Sequence, residues 1–126
     1  MAVTYTTAVK NARMDAVAAQ IDGGSGAGVL QIGTTSMATV LAEFTLNDPC
    51  AAAASGGVLT LSGFPKSDTS ANNTGTAAAA RIRDSNGTDI ITGLTVGTSA
   101  SDINLDSVSV TAGQTVTINS ATITHA

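Results

Sequence analysis

Apolar and polar side chains alternate between residues 39 and 47: Val40, Ala42, Phe44 and Leu46 are interleaved with Leu41, Glu43, Thr45 and Asn47. A period of two predicts a half-buried strand. Asn47-Asp48-Pro49 ends it, because proline cannot donate to a strand ladder. A connector of small residues, Ala51 to Gly57, leads to a second predicted strand, Val58 to Phe64, closed by Pro65. Both phenylalanines fall in this pair, so the pattern places the bulkiest part of the core here.

Upstream the period changes. Residues 1–6 are β-prone and read as an arm or edge strand; Thr6 or Thr7 then suits an N-cap. Residues 8–21 contain neither Gly nor Pro, and Met14, Val17, Ala18 and Ile21 fall on one helical face. Asp22-Gly23-Gly24 ends this helix, with glycine suited to the left-handed position past its end. The helix reads as a cover for a sheet edge or opening, with docking to a partner as the rival reading. Ser25 to Gly28 is a link without the Lys-Ser/Thr of a phosphate loop. Val29 to Gly33 is a short strand, and Thr34 to Ala38 a turn.

Downstream of Pro65, the polar run Lys66 to Thr76 reads as a loop. Ala77 to Asp84 and Asp89 to Val96 form a hairpin around Asn86-Gly87, a type I′ signal. A two-residue turn would set Ser85 opposite Thr88 and Asp84 opposite Asp89, an unfavourable pair unless one carboxylate turns away or finds a cation. Ile103 to Val110 reads as one or two short strands, Ala112-Gly113-Gln114 as a turn, and Val116 to Thr124 as the last strand or strands. About eight strands with turns every 8–12 residues predict a mainly-β single domain over 1–126. The expected architecture is an antiparallel sandwich of jelly-roll or Greek-key type (28–126) preceded by an arm and helix (1–22).

Composition changes the picture in one respect. Leu, Ile, Val and Phe make up just over a fifth of the chain, with one Tyr and no Trp. Large aromatics dominate core burial where they are present, so this core is thin and favours association with copies of itself, as dimer or trimer, or with a partner. The net charge of −4 is spread out. Lys10 and Arg13 on the helix and Arg81 and Arg83 on a strand do not form the basic stripe that nucleic acid requires. No apolar run is long enough to span a membrane, and the N-terminus carries no export-signal pattern.

The residues that could do chemistry are few. His125 is the only histidine and stands next to the end, where a base is seldom held in place. Cys50 is the only cysteine and reads as a small semi-buried thiol. No catalytic residue, cofactor or metal set is expected, and the chain does not read as an enzyme. Asp84 to Asp89 offers alternating oxygen ligands for calcium but lacks the distant bidentate Glu of an EF-hand. A plain hairpin is the better reading.

Four runs carry a resemblance: TYTTAVKNARMDAV, IDGGSGAGVLQIG, SDTSANNTGTAAAARIRDSNGTDIITGLTVGTSASDINL and VTAGQTVTINSATITHA. Together they cover nearly the whole chain. With Ile21-Asp22-Gly23, the Ser67-Asp68-Thr69-Ser70 loop and the closing Ile-Thr pattern as markers, the chain resembles a family of small structural proteins of tailed bacteriophages and prophages. The resemblance implies a virion component made in the host cytoplasm. Among virion roles it is most similar to capsid decoration (cement) proteins, which bind the outside of an assembled head and clamp its subunits. The partners so implied are the major capsid protein and the protein itself. A tail- or fibre-associated protein and a non-catalytic carbohydrate-binding module are the alternatives. The expected contact residues are Tyr5, Lys10 and Arg13 on the arm and helix, and Ala77, Ala79 and Arg81 on the alanine-rich strand.

Overall fold

The computed structural model describes residues 4–23, 26–47, 50–51 and 53–124. Residues 1–3 of the expected arm, Asp48-Pro49, Gly24, Ser25 and His125 lie outside this set. Among the described residues, apart from a single 3-10 turn at Thr35–Met37, one α-helix, α1 (Thr7–Ile21), precedes ten strands: β1 (Val29–Gly33), β2 (Val40–Thr45), β3 (Val58–Thr60), β4 (Lys66–Asp68), β5 (Gly75–Thr76), β6 (Ala79–Arg83), β7 (Asp89–Gly97), β8 (Ile103–Leu105), β9 (Ser109–Val110) and β10 (Val116–Thr124). The mainly-β chain with a single N-terminal helix is therefore what the structure shows.

Seven strands form one hydrogen-bonded path in the order β2-β1-β6-β7-β8-β10-β3, and β4 joins β10 beside it. These bonds do not themselves divide the strands into two facing layers. The sheet curls until β4 also packs on β2. At that seam the Asp68 carboxylate accepts the Glu43 N–H (3.0 Å), the Asn72 N–H donates to the Leu41 carbonyl (2.7 Å), and the Asn73 side-chain amide donates to the Val40 carbonyl (2.8 Å). The expected loop at 66–76 thus contains two short strands and closes the outer edge of β2. Its polarity conceals this role because the pairing uses backbone and short polar side chains.

The inward faces follow the period of two. Leu30 and Ile32 of β1 pair with Phe44 and Ala42 of β2 and with Ile82 and Ala80 of β6, and all six are buried. Ile103, Leu105, Ile118, Ala121 and Leu59 continue this core around the curl. The aromatic expectation holds only in part: Phe44 is buried, whereas Phe64 lies beyond the end of β3, half-buried beside the Lys66 ammonium. Most of the largest fully buried side chains are Ile and Leu.

α1 packs on β3 and β7. Thr6 is its N-cap, accepting the Val9 N–H. Met14 and Ile21 are buried, with Val17 and Ala18 partly buried against the same core. The helix meets the sheet closely where Gly28 passes Ile21: a Cβ at Gly28 would lie 2.6 Å from Ile21 Cγ2 and 2.9 Å from the Arg83 carbonyl oxygen.

A second set of contacts fixes the helix to the 50–57 connector. Asn11 Oδ1 accepts the Gly57 N–H (2.8 Å), Asp15 Oδ1 accepts the Ala54 N–H (2.7 Å), and the Asp22 carboxylate accepts the Cys50 N–H (3.1 and 3.2 Å). Positions 11, 15 and 22 share one helical stripe. The connector is itself a hairpin: Ser55 and Val58 exchange backbone bonds across Gly56 (φ 61) and Gly57 (φ 76), and Ala51 bridges Leu61. Two successive positive φ values define a type I′ turn, which glycine adopts without steric cost. The helix and connector together cover the outer edge of β3.

Candidate functional site

The residues expected at a contact, and the exposed groups beside them, lie in two places: the outer face of β2-β1-β6, and the N-terminal end of α1. On the outer face the register sets Glu43, Gln31 and Arg81 side by side. Arg81 Nε donates to Gln31 Oε1 (2.8 Å), and Gln31 Nε2 donates to Glu43 Oε2 (2.7 Å). Gln31 is buried between its neighbours and uses both ends of its amide, so the row is held rigid. Glu43 has no cation within ion-pair distance among the described residues. Glu43 is exposed and borders two open clefts. One, of about 360 Å³, runs along Thr45 and Lys66 to Thr69. The other, of about 210 Å³, lies between Val29, Gln31, Arg83 and the hairpin tip at Ser85 and Gly87.

The hairpin differs from its expected register. The Asp84 N–H donates to the Thr88 carbonyl and the Gly87 N–H to the Asp84 carbonyl, leaving a three-residue loop. Asp84 Oδ1 accepts the N–H groups of Asn86 and Thr88, both at 3.0 Å, which holds the longer turn. Arg83, not Asp84, therefore stands opposite Asp89, and its Nε meets the carboxylate at 2.6 Å. Like charges have been replaced by opposite ones. Asp84 is engaged with backbone and Asp89 with a guanidinium; among the described residues no three His, Cys, Asp or Glu side chains gather to hold a metal. A chelator is expected to leave the melting temperature unchanged in thermal unfolding. Asp89→Ala should lower stability by no more than the ~0–1 kcal/mol of an exposed pair. A chelator-dependent shift that disappears in Asp89→Ala would restore the calcium reading.

At the other place, Tyr5 and Val9 are the exposed large hydrophobics among the described residues, at 37% and 43%. They lie four residues apart, at the start of the helix. The Arg13 guanidinium lies 4.3 Å from the centre of the Tyr5 ring, an arrangement stabilised by the negative face of the ring. Lys10 is half-buried with its stem over Gly57, where a Cβ would meet Lys10 Cδ at 3.3 Å.

The six residues expected from sequence are thus distributed unevenly. Tyr5 and Arg13 come together on the surface, and Lys10 stands near them on the helix. Arg81 belongs to the outer sheet face with half-buried Ala79. Ala77 is 4% exposed and belongs to the core, so its side chain has no surface to offer a partner. It leads into β6 on the inward side, where the alternation of the strand sends Ala80 and Ile82 as well. Val9 and Glu43 were absent from the sequence-based set. For Val9 the signal was present: it is an apolar residue off the Met14-Ile21 face, one turn after a tyrosine. For Glu43 it was not, since its surroundings are brought together from two other strands.

No helix among the described residues is long and apolar enough to cross a membrane. Among known proteins, no family model, no curated protein and no solved structure matches the chain.

Proposed function

We propose that this protein is a structural component of a tailed-bacteriophage particle, a decoration protein on the outer surface of the capsid that stabilises the shell by binding alone. The observation that carries the reading is the placement of exposed apolar surface. Large hydrophobics are exposed at Tyr5 and Val9, with Arg13 stacked on Tyr5. Two exposed hydrophobics are not a large apolar patch, but Tyr and Arg are the residue types that most often dominate binding energy at interfaces, and here they stand together. The rest of the fold suits a passive role. Its helix is fixed to core and connector, and every buried side-chain N or O atom among the described residues has a hydrogen-bond partner. Such a body presents a preformed surface and orders little on binding, which keeps the entropic cost of association low.

A ligand that binds only the assembled shell stabilises that shell by mass action. Heads lacking the protein are expected to assemble and then release DNA at a lower temperature than the wild type. Purified protein added back should restore heat resistance, and Tyr5→Ala should need roughly tenfold more protein or above to do so. Heads that are equally heat-resistant without it, with the protein found on the tail, would favour the tail-associated alternative.

A further inference from the structure

We infer that Asn86, at the tip of the β6–β7 hairpin, is a site of spontaneous deamidation whose rate is set by Asp84. This is independent of the function proposed above. The reaction needs an asparagine side chain able to bend back and a following backbone nitrogen able to reach it. Glycine is the most favourable following residue, because no Cβ hinders the attack and its backbone rotates freely. Asn86-Gly87 is the only Asn-Gly pair in the chain. Both residues are exposed, and a Cβ at Gly87 would meet nothing within 4 Å. In the reaction the Gly87 nitrogen gives its proton to solvent and bonds to the Asn86 side-chain carbonyl carbon. The bond from that carbon to the amide nitrogen breaks, and ammonia leaves. Water then opens the five-membered imide at either carbonyl, giving aspartate or isoaspartate.

The other asparagines are worse placed. The side chains of Asn11, Asn47, Asn73 and Asn104 are held by hydrogen bonds, and Asn72 and Asn119 precede residues that carry a Cβ. Asp22-Gly23 could close the same ring by losing water, but both Asp22 oxygens accept the Cys50 N–H. The hairpin restrains Asn86 through its backbone. The Asn86 and Thr88 N–H groups donate to Asp84 Oδ1, both at 3.0 Å, and the attacking nitrogen of Gly87 donates to the Asp84 carbonyl at 3.1 Å. The ring closes only when this loop opens, so Asp84 sets how often the reaction is possible. Conversion places a third carboxylate beside Asp84 and Asp89, where the Arg83 guanidinium is already paired with Asp89. The net charge goes from −4 to −5. Asp84, Ser85 and Gly87 line the cleft of about 210 Å³, so that wall becomes more acidic. The isoaspartate product also lengthens the main chain of the three-residue loop by one methylene.

The test incubates the purified full chain in warm neutral buffer and follows it by mass spectrometry of its peptides. Residue 86 should exchange –NH2 for –OH ahead of every other asparagine, and the product should separate into aspartate and isoaspartate forms. Asp84→Ala should speed the conversion by roughly tenfold or more, because it removes a charged acceptor from two N–H groups of the loop. Asp84→Asn, which keeps the acceptor oxygen, should stay closer to the wild-type rate. Wild-type chain unfolded in urea should convert faster than folded chain, a comparison that needs no variant. Asn86→Gln should convert far more slowly, because a six-membered ring must then close. Another asparagine converting first, or residue 86 unchanged after the unfolded chain has converted elsewhere, overturns the inference. Equal rates in folded and unfolded chain, or an Asp84→Ala variant no faster than the wild type, overturn the part assigned to Asp84.

Discussion

Ile21→Ala is expected to destabilise the domain by about 2–5 kcal/mol, the range for deleting the side chain of a fully buried aliphatic residue. Ile21 is 0% exposed and closes the last turn of the helix against Gly28 and the core. Its neighbours pack too tightly to relax into the space: Gly28 already lacks the Cβ that would lie 2.6 Å from Ile21 Cγ2. In a domain whose net stability is of the order of 5–15 kcal/mol, the loss removes a large share of the total. Val17→Ala, on the same face but only partly buried, should cost clearly less. Urea unfolding measures both, and a midpoint that moves with little change in slope marks a stability effect. A loss below about 1 kcal/mol for Ile21→Ala would mean that the helix is an appendage and not part of the core.

Asp22→Ala should come next, at about 1–3 kcal/mol, because it leaves the backbone N–H of a buried residue without its acceptor. The Cys50 N–H donates to both Asp22 oxygens, and Cys50 itself is 0% exposed. Asp15→Ala removes an acceptor from Ala54 in a more exposed setting and should cost less. The cysteine supplies a local readout. If the Asp22 carboxylate pins this part of the connector, Asp22→Ala should speed thiol labelling of Cys50 by roughly tenfold or more, through local opening. Asp15→Ala should change it little. Unaltered labelling and an unaltered midpoint in Asp22→Ala would show that the apolar contacts of the connector hold it without the carboxylate.

Local order was legible where one stretch of chain determines it. An N-cap at Thr6 or Thr7, the Met14-Val17-Ala18-Ile21 face, and β1, β2 and β10 all follow from periodicity or capping chemistry that needs no distant residue, and the structure selects Thr6. The turn at Gly56-Gly57 was equally local, and its doubled glycine was the available signal; the small residues around it read as a link because nothing apolar alternates there. Long-range pairings were not legible. β10 takes β8, β3 and β4 as partners, and β7 meets β8 in parallel over two residue pairs after a five-residue turn. Register is set by competition among many weak pairings, and a short polar strand such as Lys66–Asp68 carries little of the pattern that reveals it. The surface divides in the same way. Tyr5 and Arg13 could be chosen by residue type, but Ala77 could not be placed inside or outside without knowing which face of β6 looks inward. The state of Glu43 depends on a relay through Gln31 to Arg81.

On a capsid surface, as proposed, copies of this domain would stand nanometres apart, at effective concentrations that a dilute solution never reaches. A bare β2 edge would there be a template for its neighbour, and a lattice of adjacent domains could fuse into continuous intermolecular sheet. The Asp68 carboxylate, the Asn72 amide and the Asn73 side chain instead occupy the outward backbone groups of Glu43, Leu41 and Val40. They do so with a short polar segment that leaves its neighbours little continuous ladder to extend. Crowding therefore brings closed surfaces into contact, and a dense coat can remain an array of separate molecules.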